Sequence, residues 1–170
     1  LEQMYESAAP PQEDTAEAEA TSVSKATTES LMAGERILES LHTADAYIEQ
    51  REQAQRLGQD VPVHPLVQAM FSEMETPDTY KYVLRVVEKI PPTHMEDALL
   101  VLPFDKVVSL FRYIDVWITR EWNVSLSARI LFFLMRTHHA QIVSNRVMRT
   151  TLVRLRTHVK NCLLYTSDAA

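Results

Sequence analysis

The chain has 170 residues, a formal net charge of −6, two glycines and one cysteine. Gly34 and Gly58 alone cannot build a Rossmann fingerprint or a P-loop, and they leave an all-β fold without its tight turns. The lone Cys162 excludes a disulfide framework and suits a reducing compartment, and no apolar run reaches the ~20 residues that span a bilayer.

Charge is unevenly placed. Residues 1–24 hold six acids and no bases, residues 25–102 hold 13 acids and seven bases, and residues 103–160 hold ten bases and three acids. The acidic opening has no apolar core, so no cleavable signal peptide is expected, and Leu1 in place of Met is expected of a piece of something longer. Residues 1–30, rich in Ala, Glu, Ser, Thr and Pro, carry too few large apolar groups to offset the entropy of ordering and read as a disordered acidic linker.

From about Glu29 the pattern turns helical. Leu31, Ile37, Leu38, Leu41, Ala44 and Ile48 recur at three- and four-residue steps, with Gly34 expected to leave the start ragged and Gly58 to stop the helix. A short helix is expected near Leu66–Met74. Thr76-Pro77-Asp78 then reads as a cap, with proline in the first turn of a helix over about Asp78–Lys89 that buries Tyr80, Val83, Leu84 and Val87. Thr93 with Glu96 resembles a capping box, and Ala98–Leu102, apolar throughout, predicts a short helix buried on all sides and broken by Pro103. Asp105 reads as the cap of a helix over about Lys106–Thr119, and Ser125 as the cap of one over Leu126–His138. The last helix covers about Asn145–Val159, with Val147, Met148, Leu152 and Leu155 on one side and an N-cap in Ser144-Asn145. The fold class is all-α: an irregular, solenoid-like array of about six to seven antiparallel helices over residues 31–160.

No catalytic, cofactor or metal site is visible. His138 and His139 point about 100° apart on a helix, and no His-x-x-x-His or Cys-x-x-Cys spacing exists. Glu73/Glu75 and Glu96/Asp97 stand beside helix starts, where acids favour the macrodipole. Two features remain. Arg146, Arg149, Arg154, Arg156 and Lys160 lie on or near the last helix, with Arg129 and Arg136 on the one before it. That surface is either an ordinary solvated face or a contact for RNA phosphates or an acidic partner. Ile130–Met135 is six apolar residues in succession, more than a thin array hides, so Ile130, Phe132 and Phe133 are candidates for packing against another chain. Leu99, Leu100, Leu102 and Phe104 are candidates in the earlier run.

Several segments in order carry a resemblance. They are Gly34-Glu35-Arg36-Ile37-Leu38-Glu39, His64-Pro65-Leu66, residues 82–90, Glu96 through Phe104 with its Ala-Leu-Leu-Val-Leu-Pro-Phe run, and Arg129 through Asn145 ending Gln-Ile-Val-Ser-Asn. In these the chain, over about residues 33–160, resembles the C-terminal helical domain of the U three protein twelve family, tandem WD-repeat subunits of the UTP-B part of the small-subunit processome. The resemblance implies a nucleolar, non-catalytic scaffold of ribosome biogenesis with no cofactor and no small-molecule substrate. Its helical domain would pair with those of sister UTP-B subunits around U three small nucleolar RNA and pre-rRNA, with two propellers ahead of the linker. The alternative is an RNA-binding helical module contacting the same RNAs through the basic face. Residues 161–170 depart from the family pattern and read as a non-native tail. On that reading Cys162 is foreign and the domain is truncated at its C-terminus.

Overall fold

A computed structural model describes residues 12–60, 65, 69 and 78–168, with side chains over 27–60, 65, 69 and 78–164. Among the described residues there are seven helices and no strand: α1 Gln12–Leu57, α2 Thr79–Glu88, α3 Pro92–Leu100, α4 Phe104–Thr119, α5 Val124–Thr137, α6 His139–Val143 and α7 Arg146–Asp168. The all-α array is as expected. The helix expected near Leu66–Met74 lies outside the described residues, as do Thr76 and Pro77 of the expected cap.

α1 begins inside the stretch read as linker. Its Ala- and Glu-rich sequence has no Gly or Pro between Gln12 and Gly34, so local propensity carries the backbone as helix. Near the start of the described side chains, Glu29 and Ser30 meet His94 of α3 at 3.1 and 3.0 Å. The buried stripe of α1 is Ser30, Ala33, Ile37, Ser40, Leu41, Ala44 and Ala54. Leu31, expected on that stripe, is exposed instead, because the buried face is centred on the small residues that let α3 come close. Gly34 is the closest point. A Cβ there would fall 2.6 Å from Val101 Cβ and 2.7 Å from the Ala98 carbonyl oxygen, so the residue is needed for helix approach rather than fraying an end.

Several expected caps shift by one or two residues. Asp78, not Thr76, caps α2, its carboxylate accepting from Tyr80 N and Lys81 N at 3.0 and 3.2 Å. α3 begins at Pro92 after Pro91, with no side-chain cap. Two prolines have no N–H to satisfy, so Thr93 and Glu96 are not needed as a capping box. Pro103 holds the cap position of α4, leaving Asp105 in its first turn. Asn123, not Ser125, caps α5 from a left-handed conformation (φ 41°) that asparagine tolerates. Asn145 caps α7 by accepting from Met148 N at 3.2 Å, as expected.

α4 is the centre of the molecule. Val107, Leu110, Tyr113, Ile114, Trp117 and Ile118 have no exposed surface, and the helix meets α1, α2, α5 and α7. Two polar anchors fix its orientation. Trp117 Nε1 donates to the Tyr80 carbonyl at 2.7 Å. Asp45 of α1 accepts from Lys106 Nζ (3.3 Å), Ser109 Oγ (2.6 Å) and Tyr113 OH (2.8 Å), three donors on one stripe of α4. Burial, and then that bond to Asp45, push the Tyr113 phenol far above its ordinary range.

Candidate functional site

The apolar candidates separate into core and surface. Leu99, Leu102 and Ile130 are buried to within a few per cent and belong to the common core, so they present nothing to a partner. They fill the space between α1, α3, α4 and α5 that a sequence pattern does not reveal. Leu100, expected buried within its all-apolar run, is 57% exposed, because a helix packed on one side hides only part of its circumference. Phe132 is 44% exposed. Phe104 and Phe133 are half-buried. The Phe104 ring lies 5.7 Å from that of His138, and Arg136 sits over Phe133 at 5.8 Å.

The arginines of α7 also divide. The helix buries Met148, Leu152, Leu155 and Val159. At 100° per residue, Arg149, Arg156 and Lys160 share the flank to one side of that line, with Arg146 at its edge. Arg146, Arg149 and Arg156 are exposed and have no ion pair among the described residues. Arg154 lies on the other flank, where it bonds Asp115 of α4 at 2.6 Å. Val147, expected inside, stands on this second flank and is 76% exposed.

That second flank faces a cleft the sequence did not suggest. Val108, Phe111, Arg112 and Asp115 of α4 and Val147, Met148, Thr151, Leu152 and Arg154 of α7 enclose about 270 Å³. Beyond the Asp115–Arg154 pair, a larger cleft of about 560 Å³ continues between Val116, Thr119 and Arg120 of α4 and Leu155 and His158 of α7. The arrangement offers apolar surface and guanidinium groups rather than acid–base or nucleophilic chemistry. Among the described residues no three His, Cys, Asp or Glu side chains converge as metal ligands. At the far end Arg120 stacks over Trp122 at 4.9 Å and pairs with Asp78 at 3.0 Å, while Lys81 lies 5.5 Å from the same indole.

Residues 79–168, which carry all these groups except Asp78, match the Dip2/Utp12 family. The chain belongs to the Dip2/Utp12 family. It is 31% identical over 168 residues to U3 small nucleolar RNA-associated protein 12 of Saccharomyces cerevisiae, covering 89% of this chain and 18% of the relative. It is 32% identical over 139 residues to WD repeat-containing protein 3 of Homo sapiens, covering 78% and 14%, and 29% identical over 143 residues to the Dictyostelium discoideum homolog, covering 82% and 15%. The chain thus spans less than a fifth of the length of these curated relatives. The Dip2/Utp12 match takes in α2 through α7 and runs to Asp168, over the tail read as non-native, where α7 also continues as helix. Within this Dip2/Utp12 region the signal for the cleft was the pair Val147-Met148. Both are apolar, and one helix line can bury only one of them.

Proposed function

We propose that this chain is a non-catalytic assembly module of the small-subunit processome, nuclear and nucleolar, supporting early pre-rRNA processing by hetero-association with the helical domains of sister UTP-B subunits. Membership of Dip2/Utp12, a family of ribosome-biogenesis factors, is the observation that carries this reading. Large apolar side chains standing in solvent on the matched helices, Leu100 and Phe132 among them, support it. In this reading residues 31–160 are the assembly domain and residues 1–30 its linker. Purified chain mixed with the sister helical domains should give a defined hetero-complex by light scattering, lost on Leu100→Asp with Phe132→Asp. A monodisperse monomer that ignores every partner overturns the reading.

The stripe of Arg149, Arg156 and Lys160 favours a second reading, direct contact with U three small nucleolar RNA or pre-rRNA through phosphates. Arg149→Glu with Arg156→Glu should then lower RNA affinity and reduce the salt slope by about two. Unchanged RNA binding in that variant removes this alternative.

A further inference from the structure

We propose that the open seam between α4 and α7 seats one helix of a partner protein, about three turns long, apolar along one stripe and acidic on its flanks. The proposal rests on the assembly reading and gives it a location separate from Leu100 and Phe132.

The seam has the shape such a helix needs. α4 and α7 run side by side in the same direction: Val108 shares a cleft with Val147, Asp115 bonds Arg154 at 2.6 Å, and His158 Nε2 donates to the Ile118 carbonyl at 3.2 Å. Residues 108–120 therefore follow residues 147–158 for about 18 Å, the length of some three helical turns. Over that length the two clefts of about 270 and 560 Å³ leave the helices unfilled between them. The apolar surface open to a partner lies at the lips, Val108 and Val147, both exposed, while Phe111, Met148, Leu152 and Leu155 are packed beneath them and hold the lips in place. Apolar lips between two helices receive the apolar stripe of a third.

Charge selects the occupant. Arg112, Arg120 and Arg154 line the clefts with Asp115, Arg120 already held by Asp78 at 3.0 Å, so that Arg112 and Arg154 are the groups left to meet an occupant. Arg112 has no ion pair among the described residues, and Arg154, although paired, keeps 67% of its side chain in solvent and can take a second carboxylate. Residues 103–160, which supply both helices of the seam, carry ten bases and three acids, a balance that disfavours a second copy of the same face and favours an acidic segment. RNA fits less well. The seam is aliphatic apart from Phe111, which is buried, and the nearby Trp122 ring is already engaged by Arg120 and Lys81, so the seam offers no exposed aromatic on which a base would stack.

The test uses the full chain and three fluorescent probes: a stapled helical peptide with a leucine stripe and glutamate flanks, the same peptide with lysine flanks, and oligouridine. The glutamate peptide should bind, more weakly as salt rises, and the lysine peptide should not. Val147→Asp and Arg112→Glu, both at exposed positions, should each weaken binding at least roughly tenfold with unchanged circular dichroism and melting, while Arg149→Glu on the opposite flank leaves it unaltered. Absence of binding by the glutamate peptide, equal binding by the lysine peptide, indifference to Val147→Asp, or displacement by oligouridine overturns the proposal. The same variants in light scattering separate the two readings. A sister complex that forms undiminished with both cleft variants removes the cleft proposal and keeps assembly. Specific peptide binding without any sister complex keeps the cleft and removes assembly.

Discussion

Two helix seams in this molecule are built in opposite ways. Where α1 crosses α3, Gly34 meets Val101 and the Ala98 carbonyl at a distance that leaves no room for a Cβ. Where α4 lies beside α7, valines and arginines line the rim and the seam stays open. Small side chains let two helices complete each other's surface, whereas branched and charged ones on both lips leave room for something else. The closed seam serves the fold, and the open seam serves encounter.

The sharpest way to break this contrast is to overfill the closed seam. Gly34→Val should destabilise the protein by about 3 kcal/mol, because its Cβ meets the Ala98 carbonyl oxygen and Val101 has little space to retreat. Urea denaturation measures this. Removal of the polar anchor beside it comes next. Asp45→Ala leaves Tyr113 OH and Ser109 Oγ without their acceptor and should cost about 2 kcal/mol. The pH profile tests the same anchor. Tyr113 holds its proton more tightly in the folded than in the unfolded chain, so its contribution is complete below pH 10.0, the ordinary tyrosine value, and is lost as pH rises above it. Denaturation midpoints from neutral to strongly alkaline pH should fall above that value, and less steeply in Tyr113→Phe.

Helix ends offer a smaller and opposite effect. α1 closes with Gln59 N bonded to Ala54 O and Gly58 N to Gln55 O, with Gly58 at φ 63°. α4 closes in the same pattern, Trp122 N to Trp117 O and Glu121 N to Ile118 O, but with Glu121 at φ 58°. A side chain in the left-handed region costs about 1 kcal/mol that glycine does not, so Glu121→Gly should raise stability by about 0.5–1 kcal/mol in thermal or chemical unfolding. The smallest effect belongs to the open seam. Val147→Asp, at a position 76% exposed, should shift stability by no more than about 0.5 kcal/mol. A large loss there would mean that the seam is closed by the chain itself.

Helical class and most helix boundaries were legible because prolines, caps and three-to-four spacing are local. Pro103 ends the α3 region and Asn145 opens α7 as the sequence indicates. What failed depended on distant neighbours. Gly34 is spaced like a helix breaker, and only Val101, far along the chain, explains it. Leu31, Leu100 and Val147 sit at apolar spacing yet face solvent, because spacing gives the existence of a stripe while the packing partner sets its centre and width. The spacing of the basic residues on the last helix puts only part of the set, Arg146, Arg149 and Arg156, on a shared face, and it does not show that Asp115 holds Arg154 on the other flank. Leu99, Leu102 and Ile130 illustrate the same limit, since a residue in a long apolar run cannot be assigned to core or surface until its neighbours are known.

The three bonds to Asp45 span 61, 64 and 68 residues, whereas the bonds around the α4–α5 turn close over four or five. Loop closure makes the long contacts the costlier ones to form from an open chain. The order of assembly in time follows: the α4–α5 hairpin meets early, and α1 is clasped onto it late by a carboxylate that reads three successive turns of α4. Substitution of Asp45 by Asn should therefore speed unfolding more than it slows refolding, and amide exchange should open α1 before α4.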